Sequence, residues 1–308
     1  MTEVAASVAV TAAGPASHSF ALPVSDEDLW EQTAAFLGEG LVAGEQVVYF
    51  ENRTAEPVLD RLVDDGVAVR GPLETGQLVV VPTEVVQAMA GATAAHVLAT
   101  LAGLIDGALE NFPGVRILGE ASSGIRTGGG AAMLEYESRF DELVAGRPAQ
   151  IRCLYDRGRY DDEDIARLRS VHHHELPVPL PLYDDTLLRI TTPRPFSARV
   201  AGEVDHSNRP WIRRALESAL DDSLRSPHSP PVVELDLASL RFLDVAGAAG
   251  LVHAAEDFPH THTLLLSGVR PGVQRVLDRC GAPFSERLRV EPHPGPRRPD
   301  AQEEVTAP

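Results

Sequence analysis

The chain has 308 residues, 44% of them hydrophobic, and its 45 acids against 27 bases give a formal net charge of −18 at pH 7. That length suits two domains with ordinary cores, while the acidic balance excludes nucleic acid and anionic membrane surfaces as expected partners. All the bases are arginine, since the sequence holds no lysine; a phosphate loop that depends on its lysine and a Schiff-base nucleophile are both ruled out.

Two cysteines, Cys153 and Cys280, are too few for a disulfide scaffold, and no apolar run approaches the roughly 18 residues of a membrane span. Residues 1–17 are rich in Ala, Val and Thr but carry Glu3 and no basic start. They read as a disordered lead-in rather than an export signal, so a cytoplasmic protein is expected.

The first strand is expected over His18–Val24, with Ser25 capping a helix that holds Asp26, Glu27 and Asp28 in its first turn and runs to about Gly38. A strand at Gln46–Glu51 precedes a helix over Thr54–Asp65, which sets Val58, Leu59, Leu62 and Val63 on one face. The pattern then predicts a strand at Gln77–Thr83, a long Ala-rich helical region from Glu84 to about Glu110, and a strand at Val115–Ser122. A Gly-rich turn at Thr127–Gly130, a helix ending at Leu143, a strand at Gln150–Asp156 and a helix at Asp161–Ser170 complete this half. Apolar strands separated by helices indicate a parallel sheet with both faces covered.

Few residues here bear chemistry. His18 opens the first strand, Cys153 lies mid-strand, and His172, His173 and His174 follow the last helix. A His/Cys/His set suits a soft divalent metal. A lone cysteine in a strand is more simply a small buried hydrophobe and the histidines sit in a polar segment, so no metal is expected. Glu120 stands at the carboxyl end of its strand, where open α/β sheets place ligands; an ordinary solvated strand-end acid fits equally. The glycine run by itself marks a turn rather than a phosphate cradle.

Residues 176–186 alternate proline with apolar residues (LPVPLPLYDD) and read as an extended interdomain linker. Beyond it, Val200–Leu220 gives a strand, a Gly-Glu-Val-Asp turn and an amphipathic helix. Val232–Gly250 gives a strand that breaks at Ala238–Ser239, recovers at Leu240–Leu243 and enters a helix through Asp244, a good N-cap. Thr263–Pro283 repeats strand and helix, closed by Gly281. Residues 293–308, rich in proline and charge, are expected to be a disordered tail.

The ordered set of motifs over residues 187–292 resembles the STAS domain, the fold of anti-sigma-factor antagonists. The first half also has a likeness: HSFALPV, FLGEGLVAGEQVVYF, RILGEAS, MLEYESRFDELV and IRCLYDRGRYDDEDI with a trailing His resemble the MEDS (methanogen/methylotroph sensory) domain over residues 18–175. That family is similar to RecA-like ATPase domains but usually lacks a working phosphate loop. Together these imply an α/β chain: an N-terminal RecA-like parallel sheet with helices on both faces, and a smaller C-terminal STAS-type α/β domain.

The STAS resemblance implies an anti-sigma factor of the serine-kinase type as partner. Members carry Ser or Thr just before the glycine that starts the second motif's helix, and the partner kinase phosphorylates it. Here that position is Ala246, between Val245 and Gly247, which has no hydroxyl to modify. Ser239, seven residues earlier, is the nearest hydroxyl but lies off the motif. Docking contacts are expected from Asp244, Val245, Ala246 and Gly247, with Glu203, Asp205 and Ser239 bordering them; the plainer role of Glu203 and Asp205 is turn chemistry, Asp205 also capping the next helix. In the MEDS-like half the ligand-sensing candidates are His18, where the family commonly has a histidine, Glu120 at its strand end and Cys153. No cofactor is expected, and a nucleotide or small-molecule ligand is left open there. The expected function is that of a non-catalytic signalling regulator; the alternatives are a non-switching adaptor or dimerisation protein and a nucleotide-binding ATPase.

Overall fold

The short apolar runs fold as strands and the stretches of helical period between them as helices. The first half runs β1 (Ser17–Ala21), α1 (Asp26–Val42), β2 (Gln46–Phe50), α2 (Ala55–Asp64), α3 (Arg70–Thr75), β3 (Leu78–Val81), α4 (Thr83–Ala90), α5 (Ala94–Leu109), β4 (Val115–Glu120), α6 (Gly130–Glu137), α7 (Phe140–Val144), β5 (Ala149–Leu154), α8 (Asp162–Val171) and β6 (His174–Glu175). The second runs β7 (Tyr183–Asp184), β8 (Leu188–Thr191), β9 (Ser197–Val204), α9 (Arg209–Arg225), β10 (Val232–Asp236), β11 (Leu240–Leu243), α10 (Val245–Glu256), β12 (Thr263–Val269), α11 (Pro271–Arg279) and β13 (Leu288–Pro292). This is a computed structural model describing residues 17–120, 130–176, 180–226 and 230–293. The lead-in before residue 17, the strand end expected at 121–122, the Gly-rich turn at 127–129, residues 177–179 of the proline-rich stretch and the tail from 294 lie outside the described residues.

The chain divides into two compact units, Met1–Leu22 with Glu39–Arg53 and Pro72–Pro177, and Pro23–Gly38 with Thr54–Gly71 and Val178–Pro308. In the first, six strands pair in the order β3-β2-β4-β5-β1-β6, all parallel. Parallel pairs need crossovers, which the intervening helices supply. From β2 the chain moves outward to β3, then returns to β4 on the other side of β2, so its direction reverses between β2 and β4. Phe20, Ile105, Ile117, Ile151 and Leu168 are among the core residues. The predicted first strand ends early, at Ala21, just ahead of Pro23, which has no N–H to give a ladder.

The helical region expected over 84–110 holds two helices, α4 and α5, because Thr93 accepts the His96 N–H and starts the second. The helix expected to end at Leu143 is likewise split into α6 and α7. Neither α3 nor β6 was anticipated.

The second unit is built on a mixed seven-stranded sheet in the order β13-β12-β10-β9-β8-β7, with β11 also paired to β9. Strands β9 to β13 pair in parallel, while β7 and β8 run antiparallel. Part of the predicted linker thus forms β7, the edge strand on one side; β8, four residues long, lies between β7 and β9, and β13 forms the other edge. Leu188, Val200, Ile212, Leu235, Leu251 and Leu277 build its core. Arg189, only 2% exposed, is held by Asp28 at 3.0 Å, Glu31 at 3.3 Å and Asp184 at 2.8 Å. Among the described residues no helix is long and apolar enough to cross a membrane.

Candidate functional site

In the first unit, His18 of β1 stands opposite Ile151 of β5. Cys153 is two residues further along β5, so the two side chains leave the same face of the sheet. Cys153 Sγ lies 3.6 Å from His18 Nε2. His172, just past α8, bonds through Nδ1 to the Leu168 carbonyl at 2.9 Å. Its ring packs on those of His18 and Phe20, with centroids 4.2 and 4.6 Å away. His18, Cys153 and His172 therefore form one buried group. The expectation of a polar histidine segment holds for His173 and His174, which are exposed. It fails for His172, because Ile165 and Leu168 seat the end of α8 in the core and carry His172 inward with them.

Glu137 of α6 joins this group. It is buried, with Oε2 3.9 Å from His172 Nε2. Its sequence signal was a place in an apolar stripe: Met133, Glu137 and Phe140 are spaced as one helical face, and all three are buried. Burial pushes the Glu137 carboxyl up to about 8, with the nearby Tyr155 hydroxyl opposing the rise. It pushes the His18 imidazole down to about 3, with the charges of the three following histidines adding to the effect. Burial also raises the Cys153 thiol, and Glu137 raises it further. At neutral pH the group therefore consists of two neutral imidazoles, both lowered by burial, a thiol and a largely protonated carboxyl.

Cys153 and Glu137 also line a cavity of about 120 Å³ whose walls include Leu101, Met133 and Phe140. Glu120 reaches it from the carboxyl end of β4, accepting the Tyr49 phenol. Phe50, at the end of β2, completes that side. The cavity thus sits where the chain reverses between β2 and β4, which is where open parallel sheets bind ligands. Its volume and apolar lining fit a molecule of a few heavy atoms, about the size of benzene or smaller.

In the second unit, Asp244 caps α10 as predicted: its Oδ1 accepts the Gly247 N–H at 2.7 Å and its Oδ2 pairs with Arg209 at 2.9 Å. Val245 is 68% exposed and Ala246 is exposed beside it, whereas Gly247 is buried. A Cβ on Gly247 would stand 2.9 Å from Leu243 Cδ1 and 3.1 Å from Asp244 Oδ1, so a larger residue here would crowd the cap. Phe242, half exposed, lies opposite Glu203, and the Asp244 N–H bonds the Val204 carbonyl at 3.1 Å.

The bordering residues behave differently from expectation. Glu203 is exposed beside the α10 tip but belongs to β9, not to a turn. Asp205 does perform turn chemistry, its Oδ1 taking the Ser207 N–H at 2.8 Å and hydroxyl at 2.6 Å. It does not cap α9; Asn208 holds that position and accepts the Asp205 N–H at 3.0 Å. Ser239 is buried, donating to Asp64 at 2.9 Å and accepting from Arg199 at 2.9 Å. Both hydroxyl functions are spent internally, so it is not part of an exposed docking face. Sequence reasoning missed the groove of about 570 Å³ between α9 and α10, walled by Arg209, Arg213 and Glu217 on one side and Ala246, Gly250 and His253 on the other. Small residues four apart, Ala246, Gly250 and Ala254, were its signal.

Two family models match the chain. MEDS (MEthanogen/methylotroph, DcmR Sensory domain) matches residues 17–173 and the STAS domain matches residues 190–293. No curated protein matches it. Among solved structures, an anti-sigma factor antagonist from Mycobacterium paratuberculosis is similar at 19% identity and a TM-score of 0.28, covering 37% of this chain and 90% of its own.

Proposed function

The chain belongs to the MEDS family, with a STAS domain after its MEDS domain, and from that premise we propose that it is a signalling regulator working by protein–protein contact. The MEDS domain takes a small, largely apolar molecule in the cavity beside Glu120, Glu137 and Cys153. The STAS domain docks an anti-sigma factor of the serine-kinase type on the tip of α10 and the groove beside it. One observation carries the docking reading: Val245 and Ala246 stand exposed at the start of a capped helix, an apolar patch with polar groups around it. Because Ala246 carries no hydroxyl, docking here is not interrupted by phosphorylation at that position; the charge that would break such a complex is never added.

The test is to measure partner affinity for Ala246→Glu and Val245→Arg. Both side chains point outward, so the helix cap stays intact. Each change is expected to weaken binding at least tenfold, about 1.4 kcal/mol, with the melting temperature unchanged. Unaltered affinity in both variants removes α10 from the interface. Asp244→Arg is a poorer probe, since it also discards a cap worth about 1 kcal/mol. ATP hydrolysis by the purified chain would favour the ATPase alternative.

A further inference from the structure

Buried polar atoms are almost always hydrogen-bonded, and each exception needs a cause. In the first unit the exceptions include His172 Nε2 and Glu137 Oε2, both from the group around the Cys153 thiol. His172 is the most telling. Its Nδ1 faces the Leu168 carbonyl at 2.9 Å, which requires the proton on Nδ1 and leaves Nε2 as a bare lone pair. That lone pair is buried and faces Glu137 Oε2 at 3.9 Å. A carbonyl that fixes the tautomer and aims the other nitrogen is the usual outer support of a metal-binding imidazole.

The distances agree. A zinc ion at about 2.3 Å from sulfur and about 2.0–2.1 Å from nitrogen holds tetrahedral S and N donors about 3.6 Å apart. Cys153 Sγ and His18 Nε2 are 3.6 Å apart. All three donor atoms lie within 4.8 Å of one another, so about 1 Å of side-chain closure completes the set. The geometry points to a metal site: His18, Cys153 and His172 bind one zinc-like divalent ion, with Glu137 at the fourth position. Thiolate and imidazole donors select such a borderline-soft ion and disfavour magnesium or calcium. Three protein ligands with a replaceable fourth is the pattern of sites that take an exogenous ligand, and both Cys153 and Glu137 face the cavity. Metal binding by this unit stands or falls apart from docking by α10.

The experiment uses the full chain, stripped with chelator and titrated with Zn²⁺ and, separately, Co²⁺. One ion per chain is expected, with a thiolate-to-cobalt charge-transfer band in the Co²⁺ form. Cys153→Ser should abolish the band and weaken Zn²⁺ binding at least tenfold. Cys280→Ser, at a free cysteine outside the group, should leave both unchanged. His172→Gln, the second variant should the serine variant not fold, should also weaken Zn²⁺ at least tenfold. Failure of the wild-type chain to retain one ion, or a cobalt band that survives Cys153→Ser, overturns the site.

Discussion

Asp185 shows how much one side chain can organise. It closes the hairpin between β7 and β8, with Oδ1 taking the N–H groups of Leu187 at 3.0 Å and Leu188 at 2.7 Å. Its Oδ2 takes the Tyr183 hydroxyl at 2.8 Å and the Asn208 amide at 3.4 Å. Burial alone would raise its pKa, but these four donors overcome that and hold it below the ordinary 3.8. A depressed carboxyl adds stability above its unfolded pKa and loses it as pH falls toward the folded value. Asp185→Asn is therefore expected to cost about 1.5 kcal/mol near neutral pH, the lower end of the scale for one hydrogen bond to a charged acceptor. The gap from the wild type should begin to close as pH falls below about 3.8 and go on closing through the lower folded value. Urea midpoints of both chains across that range check it; a gap that persists in acid would mean the charge is not what matters.

At the scale of elements, the residues that start and stop a helix or strand decided what could be anticipated. Asp244 announced α10 because an acid ahead of a run of small helix formers has one obvious use. The break between α4 and α5 was hidden, since Gly91, Ala92 and Thr93 sit in an otherwise continuous Ala-rich run and only the Thr93 cap separates them. Strand β8 was hidden too, because its neighbour Gly202 reads as part of a turn. In fact Gly202 lies within β9 at φ 100°, where an added Cβ would fall 2.0 Å from the Leu187 carbonyl oxygen. Both the conformation and the approach demand glycine. Gly202→Ala is expected to cost more than about 2 kcal/mol by combining backbone strain with a clash against main chain. A fall in the denaturation midpoint of that size checks it, whereas a near-neutral effect would mean that β8 shifts freely away from β9.

Across the whole molecule, the least legible feature was which segments share a unit. Sequence order invites a cut near residue 180, and the two family matches lie on either side of it. The second unit nevertheless includes residues 23–38 and 54–71, which read as ordinary amphipathic helices of the first half. Their charges explain the inclusion. Besides Arg189, Arg199 pairs with Asp65 at 2.6 Å and Arg270 with Asp64 at 2.5 Å. Arg241 and the buried Arg61 share Glu27. Composition could not show this, because an excess of acids says nothing about which ones are buried opposite arginine. Removing one member of a buried pair costs roughly 3–5 kcal/mol, since the other is left charged without compensation, whereas replacing both with uncharged groups is close to neutral. Arg189→Met is thus expected to destabilise the second unit by about 3 kcal/mol, and adding Asp28→Asn should restore part of that loss. A chain beginning at residue 178 lacks Asp28, Asp64 and Asp65 altogether, so it should melt below the full chain at equal concentration. If it melts at the same temperature, the arginines do not depend on those acids and the ion pairs contribute nothing to the fold.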